Sequence, residues 1–304
     1  MSERSGAESA RVVNEPLRRI GRDNSLGRGT WKSFAEVFDH RELLGRLVSR
    51  EVRAKYKNSS LGVVWSLMRP LAQLIIYYVA IGQFLGAARS IPDFAIFVFA
   101  GLTAWSLYSE IVTAGTNSIV SNSGLVKKVY VPREIFPLAT VGASSFNFIV
   151  QFAILLLATI VLGQPPLHAD LVYLPLSIVL ILTFATALAL VLSALNVYLR
   201  DVQHLVEILL LILFWASPIV YSVGFVHDAI GGTWLEDLYL ANPVTLGVLG
   251  MQKAMWVSGT TDPTQYWPDL LWLRMLIAIV VCGVLLVVAQ RIFSRLQSNF
   301  AQEL

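Results

Sequence analysis

The sequence predicts an all-α integral membrane protein with six transmembrane helices, an amphipathic interface helix ahead of the first, and short re-entrant helices between helices 5 and 6. Three observations lead there. Of 304 residues, 56% are hydrophobic and 14% charged, where a soluble domain carries roughly 25% charged residues. The charges are unevenly spread, with 13 basic and 8 acidic residues in the first 60 positions, about half of the total. Beyond them lie six apolar runs free of Asp, Glu, Lys and Arg. Too little polar surface remains to cover a water-soluble core of this size, so the apolar excess faces lipid.

Residues 1–35, rich in Ser, Arg, Gly and Glu, lack the apolar stretch and cleavage site of a secretory signal and are expected to form a disordered cytoplasmic tail. A helical pattern follows over 36–57. Leu44, Val48, Val52 and Tyr56 recur every four residues with Leu43 and Leu47 beside them, while Glu42, Arg46, Ser49, Arg50, Arg53 and Lys57 gather on the opposite arc. Such a helix suits the membrane interface, its cations near anionic lipid head groups; an ordinary surface helix carries the same pattern.

Residues 61–295 form the membrane domain. An ionised side chain at mid-bilayer is costly, so spans are bounded where charges stop. The runs are Pro70 to Ala88, Phe94 to Ser109, Ile135 to Leu167, Leu171 to Leu199, Ile208 to Val226 and Met275 to Gln290. Arg69, Glu110, Glu207 and Arg274 flank these runs and are expected at helix ends, where long side chains snorkel. With a cytoplasmic amino terminus, 19 of the 23 Lys and Arg residues fall on inner segments, and the positive-inside rule then places both termini, including the tail 296–304, in the cytoplasm. The third outer loop contains a semi-apolar stretch, Pro243 to Val257, too short and interrupted to cross; it reads as short helices folded back into the outer leaflet, their backbone polar groups packed against protein.

Several chemistries are excluded at the level of motif. Cys282 is the single cysteine, so no disulfide forms within the chain. His40, His168, His204 and His227 are scattered without partners at metal-ligand spacing, so no metal site is expected. There is no phosphate-binding glycine loop and no catalytic carboxylate pair, so this chain is expected to be no enzyme and to hold no cofactor. An energy source, if one is used, lies in another chain. The inner loop at residues 117–137 offers such a partner two lysines and an arginine, with Leu125, Val126, Val129 and Tyr130 as apolar anchors; an ordinary basic loop obeying the topology rule has the same composition.

Three segments resemble a known family. In Arg50 to Leu71, basic residues flank Tyr56, followed by Ser59, Leu61, Gly62, Trp65, Pro70 and Leu71. The inner loop adds Asn122, Leu125, Val126, Lys128, Pro132, Arg133, Ile135, Phe136 and Pro137, with Val131 where an aromatic is common. Asn196 to Tyr221 carries the Arg200–Asp201 pair and ends in Trp215, Ser217, Pro218, Ile219 and Tyr221. Together they are similar to the signature of ABC-2 type polysaccharide exporter permeases, the transmembrane subunits that export O-antigen, teichoic acid or galactan. The Arg-rich, Ala- and Val-heavy composition further resembles the actinobacterial galactan exporters.

The resemblance implies a homodimeric subunit in a bacterial plasma membrane, paired with two copies of a separate ATPase that binds ATP and Mg, moving a lipid-linked polysaccharide outward and binding no nucleic acid. It implies that the loop couples to the ATPase through Asn122, Leu125, Val126, Lys127, Lys128, Tyr130, Pro132 and Arg133, and that residues 225–267 form an outer gate. A lipid-linked polymer carries a pyrophosphate, for which Arg53, Lys55, Lys57 and Arg69 are candidates; the same cations also satisfy the topology rule. Sugar C–H faces pack on aromatic rings, and the candidates for a sugar path are Tyr77, Tyr78, Phe84, Trp105, Tyr108, Phe146, Phe148, Trp215 and Tyr221. Trp and Tyr at span ends also serve as interfacial anchors. A drug or small-lipid exporter of the same superfamily, and a polytopic membrane glycosyltransferase, are the competing readings. The second needs acidic pairing that Asp228, Glu236, Asp237, Asp262 and Asp269 do not provide.

Overall fold

The structure, a computed structural model, describes residues 39–57, 64–128 and 131–304, with the side chains of 64–67 and 301 outside the description. Expectations placed on residues 1–38, on Ser59, Leu61, Gly62, Val129 and Tyr130, and on the Trp65 ring therefore lie outside the described residues. Those described are helical without a strand. Four helices are long and apolar enough to cross a membrane: α3 (Phe94–Ser121), α5 (Ile135–Val161), α6 (Tyr173–Tyr198, preceded by a 3-10 turn at Ala169–Val172) and α12 (Leu271–Leu296). Three of them, α3, α6 and α12, run in one direction and α5 in the other. The basal end collects α1 (Arg41–Tyr56), a short helix α4 (Ser123–Lys128) and residues 297–304; the apical end collects the connections at 86–93 and 163–172 and residues 216–270.

Helix α3 is the axis of the fold, packed on by α5 and α6 and enclosed from Phe94 to Tyr108 almost without interruption. Small residues let it approach α6. A Cβ on Gly115 would stand 2.5 Å from that of Ala189, so only glycine fits; close backbone approach is how membrane helices gain contact when lipid is as apolar as their side chains. The outer faces are apolar, with Val280, Val281, Val284 and Leu285 of α12 and Ile149, Leu157 and Ile160 of α5 exposed, as a bilayer-facing surface requires.

Two expected runs take a different form. Helix α2 (Val64–Tyr77) starts before Pro70 and runs on as a π-helix over Tyr78–Phe84. The expected fifth run, Ile208 to Val226, is not one helix. Helix α7 (Val202–Trp215) ends after 14 residues, about 21 Å, short of a hydrocarbon core roughly 30 Å thick. Pro218 has no N–H to continue it and disfavours helical geometry at Ser217. The backbone beyond is buried at Ser217, Ile219 and Val220, and its carbonyls find partners. Gln252 Nε2 donates to Pro218 O at 2.8 Å and Thr245 Oγ1 to Ala216 O at 3.5 Å, while Tyr221 Oη donates to Trp215 O at 2.8 Å.

The donors Thr245 and Gln252 belong to α10 (Pro243–Met255), capped by Asn242, whose side chain accepts from Val244 N at 3.0 Å. All of α10 but Pro243 and Lys253 is buried, against α6, α3 and α12. In place of the expected short helices in the outer leaflet, this stretch is one interior helix that also satisfies the break in α7. Around it lie α8 (Val223–Ile230), α9 (Trp234–Leu240) and α11 (Val257–Thr261).

Helix α1 forms over most of its expected span, and its apolar face meets protein. Leu47 is buried, and Val48 lies so close to α5 that a Cβ on Gly142 would stand 2.6 Å from it. The acidic and basic residues of the opposite arc share one open face.

Candidate functional site

Helix α3 places a polar side chain at 103, 106, 110, 113 and 117, and α5 at 140, 144, 147 and 151. Steps of three and four put each set on one helix face. The two stripes face each other: Gln151 Nε2 donates to Thr103 Oγ1 at 3.4 Å, and Asn147 Nδ2 donates to Glu110 Oε2 at 2.8 Å. Below Thr103 they part and line a cleft of about 970 Å³, closed on its other sides by the end of α1, by α2 and by α7.

Glu110 overturns the expectation that it sits at a helix end. Helix α3 continues to Ser121, about 16 Å further, and the carboxylate is held inside the cleft instead. Lys55 Nζ lies 3.6 Å from Glu110 Oε1, and Tyr56 Oη donates to Asn147 Oδ1 at 2.6 Å, so the end of α1 is tied to α3 and α5 through one network. Glu207 likewise stands inside α7 and lines the cleft, as does Arg69 in α2. Of the four, only Arg274, in the first turn of α12, occupies a helix end as expected.

From the basal mouth inward the lining changes from charged to aromatic. Glu51, Lys55, Arg69, Glu110 and Glu207 are followed by Tyr77, Trp105, Phe214 and Trp215. Phe214 organises the rings, stacking on Tyr77 at 5.8 Å and meeting the Trp105 edge at 5.4 Å. With two cations against three carboxylates, the cleft is no simple anion trap.

The predicted residues divide accordingly. Lys55 and Arg69 line the cleft, whereas Arg53 and Lys57 lie on the far face of α1. Tyr77, Trp105 and Trp215 line it too. Tyr108 does not: it is enclosed and stacks on Phe184 at 5.8 Å. Phe148 packs on Phe152, Tyr78 tilts against Phe94, Phe84 and Phe146 face outward, and Tyr221 braces the α7 break. In the inner loop, Leu125, Lys127 and Lys128 are exposed, but Val126 is buried in this chain's own core and offers no anchor to a partner. Asn122 contacts the Arg50 guanidinium, and Pro132 and Arg133 are half-buried. Sequence reasoning missed Ser106, Thr113, Asn117, Asn147 and Phe214; for the polar four, the three-four spacing within apolar runs was the available signal.

Residues 42–256 match the family model described as ABC-2 type transporter. The chain belongs to that family. An O-antigen export system permease protein RfbA from Myxococcus xanthus is 33% identical over 193 residues, covering 64% of this ABC-2 chain and 73% of the relative. One of the same description from Klebsiella pneumoniae is 24% identical over 262 residues, covering 86% and 94%. A polysialic acid transport protein KpsM from Escherichia coli is 24% identical over 230 residues, 74% of each chain.

At the apical end of this ABC-2 chain a second polar cluster joins α8 and α9. His227 Nδ1 lies 2.7 Å from Glu236 Oε1, Gly232 N donates to Glu236 Oε2 at 2.9 Å, Tyr266 Oη donates to Glu236 Oε1 at 3.3 Å, and the Tyr266 ring stacks on His227 at 3.9 Å. The His227 hydrogen bond first, then the Gly232 N–H, hold the Glu236 carboxyl below its ordinary 4.5. A depressed carboxylate pKa adds stability that is full above the unfolded value and lost as pH falls through the folded one.

Two outcomes follow, both readable from thermal exposure of the buried Cys282 to a dipyridyl disulfide. Asn147→Ala removes the buried bridge and should cost about 1–3 kcal/mol; Lys55→Ala breaks an ion pair whose side chains are 46% and 35% exposed and should cost less than about 1 kcal/mol. The opposite order would contradict the network. Wild type should also be more stable than Glu236→Gln at pH 7, and this advantage should vanish on acidification through the lowered Glu236 pKa; an advantage that grows instead would contradict the assignment.

Proposed function

We propose that this chain is the transmembrane subunit of an ATP-driven exporter that moves a lipid-linked cell-envelope polysaccharide from the cytoplasm across a bacterial plasma membrane. The observation that carries the reading is the cleft, in which hydroxyl, amide and carboxyl groups run beside aromatic rings among helices of membrane-spanning length. Sugar hydroxyls exchange hydrogen bonds with the polar stripes, and sugar C–H faces slide over Tyr77, Trp105 and Trp215. Balanced charge and repeated weak contacts suit a conduit, since conduction requires binding that is easily released. The names of the bacterial relatives, an O-antigen export permease and a polysialic acid transport protein, support the cargo class; within it, the chain's composition puts a galactan-type polymer first.

In this reading α2 with its π-helical extension and α7 with its break complete six spans, both termini are cytoplasmic, α1 lies along the inner interface, and residues 225–267, with α8–α11, form the re-entrant outer gate. Two copies of the chain assemble with two copies of an ATPase subunit that supplies ATP and Mg chemistry. The loop through Asn122, Lys127, Lys128, Tyr130 and Arg133 receives that subunit's movement, and rigid displacement of the basal end opens the cleft. Lys55 and Arg69 at the mouth take the pyrophosphate of the lipid carrier through charge-assisted hydrogen bonds, Lys55 leaving Glu110 as it does so.

Loss of the gene should remove surface polysaccharide while leaving drug resistance intact, and the chain should purify with an ATPase and hydrolyse no ATP alone. Complementation with Trp215→Ala should restore about 2- to 13-fold less surface polymer than wild type, given roughly 0.5–1.5 kcal/mol for an aromatic contact. An intact envelope with new drug sensitivity would instead indicate a small-molecule exporter, and sugar-nucleotide turnover by the purified chain a glycosyltransferase.

A further inference from the structure

At the basal end, residues 297–304 pack against the bundle. After α12 the chain turns through a 3-10 segment at Gln297–Asn299 into α13 (Phe300–Glu303), and Phe300 is fully buried in a small core shared with Leu47 of α1, Val126 of α4, Phe136 of α5, Val197 of α6 and Phe293 of α12. The Phe300 ring meets the edges of Phe293 at 5.6 Å and Tyr198 at 6.1 Å. Tyr198 Oη donates to Leu296 O at 2.6 Å, fixing the turn.

The residues that follow the inner loop grip this segment from the other side. Arg133 Nη1 donates to Gln297 O, and the guanidinium lies 5.6 Å over the Phe300 ring, within cation–π range. The adjacent Glu134, 2% exposed, accepts from Gln297 Nε2 at 3.3 Å, Ser294 Oγ at 3.4 Å and Gln290 Nε2 at 3.5 Å through the same Oε1. Gln297 is therefore held by its carbonyl and its side chain at once. Residues 297–304 lie outside the stretch that matches the family model.

We infer that residues 297–304 are a strap that sets the position of the loop at 122–134, with Phe300 and Gln297 as positioning residues that fix how completely ATP hydrolysis by the partner is converted into export. The inference rests on the proposed role of that loop. Loop and strap share one buried core, so a push on Lys127 and Lys128 passes to α12 and α6 only while Phe300 is seated. Without it, α4 yields locally and the push is dissipated.

The test uses the permease–ATPase complex in lipid nanodiscs and the corresponding strains. In the Phe300→Ala complex, hydrogen–deuterium exchange over residues 122–136 should rise at least ten-fold while exchange over 94–112 stays unchanged. Surface polysaccharide should fall at least five-fold with ATP turnover within two-fold of wild type. Phe300→Leu, which keeps an apolar side chain in the core, should restore both readouts to within two-fold. Unchanged exchange over 122–136, an equal rise throughout the bundle, or export falling only in proportion to ATP turnover would each overturn the strap. Lys127→Glu with Lys128→Glu tests the loop separately: wild-type association and turnover in that variant would refute the loop's role, while the exchange measurement still decides whether the strap holds it.

Discussion

A carboxylate inside a long apolar helix must be hydrated, neutralised or hydrogen-bonded, because lipid offers none of the three. Glu110 meets all of these needs within one cleft: Asn147 donates to one oxygen, Lys55 lies near the other, and the surrounding space admits water. The arrangement then determines its neighbours. Asn147 needs an acceptor role filled and receives the Tyr56 hydroxyl; Tyr56 and Lys55 bring the end of α1 against the bundle; and α1 stays there by seating Val48 over Gly142. A polar site inside the bundle and a helix at its base are thus parts of the same hydrogen-bonded unit.

The same accounting explains the apical half. Where Pro218 ends α7, exposed carbonyls in lipid would be costly, and non-helical backbone is tolerated only against protein. Helix α10 answers by carrying Gln252 and Thr245 on the face turned toward the break. An apolar helix too short to span becomes necessary once it is seen as the hydrogen-bonding partner of an interrupted one.

Much of this was legible in the sequence. The apolar runs that became α3, α5, α6 and α12 and the amphipathic stretch around Leu44 and Val48 follow from composition and period, whereas Pro243 to Val257, read as short helices in the outer leaflet, packs as one interior helix. The misplacements share one cause. Bounding spans by charge assumes that helices face lipid, and Glu110 and Glu207 face a cleft instead. Burial of Tyr108, Phe148 and Val126 escaped for a related reason: an apolar residue in a membrane helix looks the same whether it meets lipid, a partner or its own core. The grip of Arg133 on Gln297 spans 164 positions, a contact no local pattern encodes.

The central claim is that the cleft between the polar faces of α3 and α5 is the path of the exported polymer. Cysteine at Ser106 in a Cys282→Ala background tests it most directly, using a membrane-impermeant thiol reagent applied to inside-out vesicles. The account predicts labelling when polymer synthesis is blocked and protection when lipid-linked polymer accumulates. A cysteine that never reacts, or that reacts equally in both conditions, would contradict it.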